Sequence, residues 1–151
     1  LEEQCAPVRY TSRDGEWVGK HRGAHFFTIG QRKGLQVGGK EEPLFVIATD
    51  IRYNRVFTGQ GQQHPGLYRK GLFIRSEEIH WIREDLAMQP GEVRTYPTRI
   101  RYRQPLQQAT LHRRKEGLYI VFDQPQRGVA AGQFAAWYSD GELLGSGVIH
   151  Q

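Results

Sequence analysis

The residues Thr28-Ile29-Gly30-Gln31-Arg32-Lys33-Gly34-Leu35 set two adjacent cations between two glycines, immediately after His25-Phe26-Phe27. Glycines beside a lysine are the material of a phosphate cradle, in which bare backbone N–H groups and an ammonium wrap an anion. The spacing argues against one here. A phosphate loop needs Gly-x-x-x-x-Gly-Lys followed by Ser or Thr, whereas Lys33 precedes Gly34 and Leu35 follows it. No Gly-x-Gly-x-x-Gly segment follows a strand-like run either. Thr28 and Gln31 instead have the spacing of a capping box, and Gly34 suits a left-handed C-cap. The segment reads as one helical turn presenting Gln31, Arg32 and Lys33 outward, although Gly30 inside it disfavours helix.

His21 and His25 lie four apart, a spacing at which a helix lets two imidazoles share a metal. Gly19 and Gly23 interrupt that stretch, and no nearby cysteine or carboxylate completes a ligand set. One structural and one surface histidine is the favoured reading. Cys5, the sole cysteine, sits in Glu2-Glu3-Gln4-Cys5-Ala6-Pro7. Its acidic neighbours disfavour a thiolate, so an inert thiol in a loosely held end is expected. The strongest chemical signal is electrostatic. From Arg94 to Lys115 there are seven cations (Arg94, Arg99, Arg101, Arg103, Arg113, Arg114 and Lys115) and no anion. Tyr96, Tyr102 and His112 stand among them. Guanidinium for phosphate and an aromatic face for a base are the combination used in RNA contact; a solvated strand face is the competing reading.

The elements that must position these residues are mostly strands. Leu44-Phe45-Val46-Ile47-Ala48 and Arg55-Val56-Phe57-Thr58 flank the turn residues Tyr53-Asn54, which predicts a hairpin. Val93 to Gln104 alternates as a long strand would. Ile100 and Tyr102 then share one face, and Arg99, Arg101 and Arg103 the other. Further strands are expected at Ala109–His112, Leu118–Phe122, Gln133–Tyr138, Glu142–Leu144 and Val148–Ile149, with turns at Lys115-Glu116-Gly117 and Ser139-Asp140-Gly141. Helix is scarce, with one short turn expected in Glu77–Ile82. Short strands at this spacing imply a small antiparallel barrel or sandwich.

The bulk properties agree with a globular chain. Its 151 residues are enough for one domain or two small ones. Charged residues make up 25% and the hydrophobic class 38%, which excludes a disordered chain. Net charge is +5, and 16 of the 21 cations are arginine, the residue suited to bidentate phosphate contact. A single cysteine excludes an internal disulfide and fits a reducing compartment. No apolar run is long enough for a membrane span, and no signal peptide is visible. The chain begins at Leu1 and its only methionine is Met88, which suggests a piece of something longer.

Several stretches together resemble one family, the bacterial tRNA-specific 2-thiouridylases, ATP-dependent sulfurtransferases that act on the wobble uridine. They are Gly19-Lys20-His21-Arg22-Gly23, Phe27 to Leu35, Asn54, Trp81, Ile100-Arg101-Tyr102-Arg103-Gln104, Gly132-Gln133, Tyr138 and Leu144 to Ile149. Each is weak alone. The combination of His-x-Gly-x-x-x-Phe-Thr-Ile-Gly-Gln-Arg-Lys-Gly-Leu with a later Arg-Tyr-Arg-Gln and Gly-Gln is specific. The resemblance implies a mainly β chain: a β-rich central domain over residues 1–71, then an antiparallel barrel of roughly six strands over 72–151, similar to translation-factor barrels. It implies tRNA contact by Arg101, Tyr102 and Gln133. His21, Gln31, Arg32, Lys33, Arg99 and Arg103 are expected to face tRNA or the family's catalytic domain. That N-terminal ATP-pyrophosphatase domain carries a Ser-Gly-Gly-x-Asp-Ser loop and two cysteines, none of which is in this sequence. No catalytic role passes to Cys5, which falls where the family has a linker. No metal or cofactor is expected on this chain; ATP with magnesium, a persulfide donor and a sulfur-carrier protein belong to the parent enzyme. Ala131 and Ser146 depart from the family's usual Pro and Gly, the first putting the aim of Gln133 in question.

The expected function is therefore to bind and orient tRNA in the cytoplasm, with no membrane partner and no sulfurtransferase activity in this chain by itself. Two alternatives stand: a free-standing RNA- or protein-binding barrel in translation, and a small hydrolase with a metal on His21 and His25.

Overall fold

A computed structural model of the chain describes residues 1–33, 35 and 38–150. It divides into two compact units, Val8–Tyr68 and a second made of Leu1–Pro7 with Arg69–Gln151. The units part at Tyr68/Arg69, and the first seven residues join the later unit, whereas the sequence division fell after residue 71 with those residues in the first domain. Among the described residues no helix is long and apolar enough to cross a membrane.

In the unit Val8–Tyr68, strands β1 (Leu44–Asp50) and β2 (Arg55–Gln60) pair antiparallel from Leu44↔Gln60 to Asp50↔Arg55, with an irregularity between Val46 and Ala48. The predicted hairpin forms because the apolar, β-branched run supplies a face to bury. Phe45, Ile47 and Leu67 make its small core, with Tyr10, Phe57 and Tyr68 packed against them.

Thr28 to Gln31 do not form a helical turn. Gly30 has φ +90°, a value no α-helix accommodates, and the Gln31 N–H donates to the Thr28 carbonyl at 3.0 Å. That is a β-turn with glycine at the position that requires positive φ. The expected capping contact exists in part: the Gln31 Oε1 accepts from the Thr28 N–H at 3.0 Å. The turn then docks on β1, where the Gly30 N–H donates to the Val46 carbonyl (2.7 Å) and the Val46 N–H to the Gln31 carbonyl (2.9 Å). The C-cap expected at Gly34 lies outside the described residues.

The same four-residue clip occurs twice in the other unit. In Gln89-Pro90-Gly91-Glu92, Gly91 has φ +97° and the Glu92 Oε1 accepts from the Gln89 N–H at 2.7 Å. Gly91 and Glu92 exchange backbone bonds with Arg113 at 2.7 and 3.0 Å. In Ala130-Ala131-Gly132-Gln133, Gly132 has φ +87° and the Gln133 Oε1 accepts from the Ala130 N–H at 3.3 Å. Gly132 and Gln133 exchange bonds with Ile149 at 2.9 and 2.8 Å. The clip closes with alanine where Pro90 stands in its counterpart, so Ala131 leaves Gln133 in place.

The second unit is a curled sheet of seven strands: β3 (Tyr68–Arg75), β4 (Ile79–Trp81), β5 (Val93–Arg99), β6 (Gln107–Arg113), β7 (Gly117–Arg127), β8 (Phe134–Ser139) and β9 (Glu142–Val148). Their order is β3-β7-β6-β5-β8-β9-β4. The sheet rolls until Phe73 on β3 bridges His150 just beyond β9, its carbonyl accepting the His150 N–H at 2.8 Å. The count differs from the six expected because β3 and β4, flanking a 3₁₀ turn at Ser76–Glu78, were not foreseen, while the strands expected at Glu142–Leu144 and from Val148 are one continuous strand, β9. That turn overlaps the helical piece expected within Glu77–Ile82 at Glu77 and Glu78 only, and Ile79–Trp81 is strand.

Inward residues alternate along the strands, as the period of two demands. Leu72, Ile74, Leu111, Leu118, Ile120, Phe122, Trp137 and Leu144 form one buried cluster, each contributing about 1.5–3 kcal/mol by burial. Trp137 meets Trp81 edge to face at 5.3 Å. Gly145 and Gly147 are part of β9. A Cβ on Gly145 would lie 2.8 Å from the His80 carbonyl oxygen and from the Trp137 ring; one on Gly147 would lie 2.6 Å from Ile74.

Helix α1 (Glu2–Cys5) belongs to this unit. Cys5 is 1% exposed and its Sγ lies 3.8 Å from the Ile120 carbonyl oxygen, while Arg69 donates to the Cys5 carbonyl at 2.7 Å. The end is held rather than loose. The thiol is inert because burial pushes its pKa up to about 11, against the lowering influence of Arg69; its acidic neighbours are not the cause.

Candidate nucleic-acid interface

The basic segment folds back on itself, so its cations do not form one patch. β5 and β6 pair antiparallel from Val93↔His112 to Thr98↔Gln107. Arg94, Arg113, Arg114 and Lys115 therefore stand at one end, and Arg99, Arg101 and Arg103 at the other, roughly 20 Å away at strand rise. At the first end, Arg94 and Arg113 are committed to local structure, while Lys115 is exposed. Arg94 binds the Glu92 carboxylate at 2.8 Å and donates to the Leu86 carbonyl and the Tyr96 hydroxyl. Arg113 donates to the carbonyls of Arg114 and Gly117. Glu92 is held below the usual carboxylate range first by the Gln89 N–H and then by Arg94.

At the other end the strand stops at Arg99, and Arg101 to Gln104 form a turn closed by the Gln104 N–H on the Arg101 carbonyl at 3.2 Å. The alternation expected through Gln104 does not continue, because the chain must reverse into β6. Two side chains of the turn face the protein. The Gln104 Oε1 accepts from the Ile100 N–H at 2.9 Å, and its Nε2 donates at 2.7 Å to the Oε1 of buried Gln126. The Arg101 Nη2 donates to the carbonyls of Arg127 (2.5 Å) and Gly128 (3.0 Å). Burial, and then the Arg127 cation, pull the Arg101 pKa down from its usual value. Arg101 and Gln104 thus rivet the turn to the end of β7.

Tyr102 and Arg103 are left at the tip, with Tyr102 83% exposed. The Arg99 guanidinium lies 4.9 Å from the centre of the Tyr138 ring and 5.7 Å from that of Tyr102. Tyr138 is on the outward row of β8 with Phe134 and Ala136, since Ala135 and Trp137 point inward. The pairs Thr98↔Trp137 and Arg99↔Ala136 carry the turn alongside the start of β8, where Gln133 sits. Arg99, Arg101, Tyr102, Arg103 and Gln133 therefore share one rim. The Gln133 Oε1 is committed to its own clip. The exposed Phe134 and the Tyr138–Arg99 contact were not assigned to the site from sequence, although Tyr138 is among the residues that carry the family resemblance.

The remaining expected residues are in the unit Val8–Tyr68. His21 is a structural pin: its Nδ1 accepts from the Gly23 N–H at 3.0 Å, so its Nε2 carries the proton and donates to the Asn54 carbonyl at 3.1 Å. His25 stacks on Phe26 at 4.1 Å. Among the described residues no three His, Cys, Asp or Glu side chains gather as metal ligands. Gln31 is not presented outward, because its amide also donates to the Lys33 carbonyl at 2.8 Å; Arg32 and Lys33 are exposed.

Comparison with known proteins places this geometry in context. A family model described as an aminomethyltransferase beta-barrel domain matches residues 72–149, and one described as a tRNA methyl transferase PRC-barrel domain matches residues 6–60. The chain is 61% identical over 99% of its length to the tRNA-specific 2-thiouridylase of Christiangramia forsetii. It is 53% identical over 99% of its length to that of Flavobacterium johnsoniae, and 46% over 94% to that of Karelsulcia muelleri. It spans 38%, 38% and 37% of the length of these curated relatives.

Proposed function

This chain belongs to the tRNA-specific 2-thiouridylase family, and on that premise we propose that it binds and orients tRNA for an enzyme that 2-thiolates the wobble uridine in the cytoplasm. The observation that carries the reading is the riveted turn with Tyr102 and Arg103 at its tip, backed by Arg99 and Tyr138. Tyr102 offers a face to an unstacked base, and the guanidiniums of Arg103 and Arg99 offer charge to phosphate. Arg101 uses Nη2 for the β7 end and keeps its other N–H groups for RNA. Gln133 uses its Oε1 internally and keeps its amide N–H groups for the same partner.

The chemistry itself belongs to the length of the parent enzyme outside this chain. Among the described residues of the Thr28–Gln31 turn, the Gly30 N–H is given to Val46 and the Thr28 N–H to Gln31, so these two donors are already used within the fold. ATP with magnesium, the persulfide donor and its carrier protein engage the rest of the enzyme.

Titration of this chain with tRNA at two salt concentrations tests the reading. Binding that weakens with salt is expected. Tyr102→Ala should lower affinity about five-fold to a hundred-fold, the range of one lost base stack. Absence of binding at low salt, or unchanged affinity in the variant, would remove the rim from the interface.

A further inference from the structure

The hairpin tip in the unit Val8–Tyr68 carries a second set of groups of the same chemistry. Tyr53 is 58% exposed, and the guanidiniums of Arg52 and Arg55 lie 5.3 and 5.2 Å from the centre of its ring. Such contacts favour placing both guanidiniums against the ring. The tip is built around Asn54, at φ +53°, a conformation asparagine tolerates better than most residues. Its N–H donates to the Ile51 carbonyl, and the Tyr53 N–H donates to the Asp50 Oδ1 at 3.2 Å.

Asn54 also brings in a second segment. Its carbonyl accepts from His21 at 3.1 Å and its Oδ1 from the Ala24 N–H at 2.8 Å. The loop Lys20-His21-Arg22 is thereby pinned at the tip, with Lys20 and Arg22 exposed beside the pin. Arg52 and Arg55 thus flank Tyr53, and Lys20 and Arg22 adjoin the His21 that binds the neighbouring Asn54. Among the described residues none of the four forms an ion pair. Asp50 is the acidic side chain of the tip, and its Oδ1 is committed to the turn.

Cations held against an aromatic ring and outside any ion pair among the described residues, although Asp50 stands across the hairpin from Arg55, are arranged for an external polyanion. We propose that this tip is a second RNA-contact site, at which Arg52 and Arg55, preordered by Tyr53, bind the sugar–phosphate backbone of tRNA, with Lys20 and Arg22 adding to the field. Contact with phosphate oxygens fixes position without reading sequence, and the guanidinium is suited to it. The proposal rests on the tRNA reading above and extends it to residues on a different unit.

The test is a tRNA titration of this chain over a range of salt, comparing wild type, the Arg52→Gln/Arg55→Gln double variant, Tyr53→Leu and Tyr53→Phe. The double variant should bind about ten-fold more weakly at 0.1 M salt, and its log–log salt slope should be shallower by about 1.5, as expected for two lost phosphate contacts. Tyr53→Leu should weaken binding, and Tyr53→Phe, which keeps the ring, should match wild type. Unchanged affinity and slope in the double variant, alongside wild-type binding that Tyr102→Ala still weakens, overturns this proposal and leaves the tRNA reading intact. Failure of the wild type to bind overturns both. Displacement by polyglutamate as effective, charge for charge, as by tRNA also overturns it, since the tip would then be a general acidic-chain site. All substituted side chains are exposed, and matching circular dichroism spectra establish that the variants are folded.

Discussion

Replacing Gln104 with alanine tests whether the rim turn is held by the contacts described. The substitution removes the acceptor of the Ile100 N–H (2.9 Å) and the donor to the Gln126 Oε1 (2.7 Å). Ile100 and Gln126 are 3% and 5% exposed, so water reaches the orphaned groups poorly. A buried polar group left unpaired costs about 1–3 kcal/mol. Gln104 itself is half-buried, and its vacated space admits water to one of the two, which sets the expected loss near 2 kcal/mol. For a unit of this size that lowers the melting temperature by roughly 10 °C. Gln104→Glu keeps the acceptor for Ile100 and loses the donor to Gln126, so it should fall about halfway. Thermal denaturation followed by far-ultraviolet circular dichroism measures both. The alanine variant should also bind tRNA more weakly, because Tyr102 and Arg103 would then rest on Arg101 alone. A melting temperature within about 2 °C of wild type would refute the riveted-turn account.

Two further outcomes follow from packing and titration. Gly147→Ala should destabilise the barrel unit by about 1–3 kcal/mol in urea unfolding, since its Cβ would meet Ile74 at 2.6 Å and the Glu78 carbonyl oxygen at 3.0 Å; a neutral result would mean that β3 yields freely. Cys5 should react with iodoacetamide at pH 8 about a hundred-fold more slowly than an unperturbed thiol, its pKa being pushed up to about 11 by burial. Because the folded value lies above the unfolded one, the associated stability is present below about pH 9 and is lost as pH rises through 11. Rapid alkylation at pH 8 would show that α1 detaches.

The strands were legible where burial imposes a short-range pattern. Leu44 to Ala48 and Leu118 to Phe122 are apolar runs that only a core satisfies, and Asp140-Gly141 marks a two-residue hairpin loop, with φ +49° and +79°. The end of β5 was not legible, because Arg99 to Gln104 keeps alternating after the strand has ended. What ends it is the pull of Arg127, Gly128 and Gln126, more than twenty residues away in sequence. Thr28 to Gln31 has the same residues at the same spacing in a capping box and in the clip, and only the sign of φ at Gly30 separates them. The family motifs pointed to Arg101, Tyr102 and Gln133, but no motif shows that Arg101 and Gln133 each commit an atom to the fold. The pairing of Arg52 and Arg55 with Tyr53 needs a turn geometry that no local pattern encodes.

The recurring clip also acts as a register key. In the barrel unit it stands immediately before β5 and β8, and each copy locks onto one residue, Arg113 or Ile149, by two backbone bonds. A strand slipped by one residue would turn every side chain to the opposite face. For β8 that exchange would send Trp137 into water and bring Phe134 and Tyr138 inside. It would strip the rim of the aromatic ring that backs Arg99. Gly132-Gln133 therefore acts as a checksum on which tyrosine faces outward, and its four residues are a short, self-contained unit for setting strand register in designed barrels.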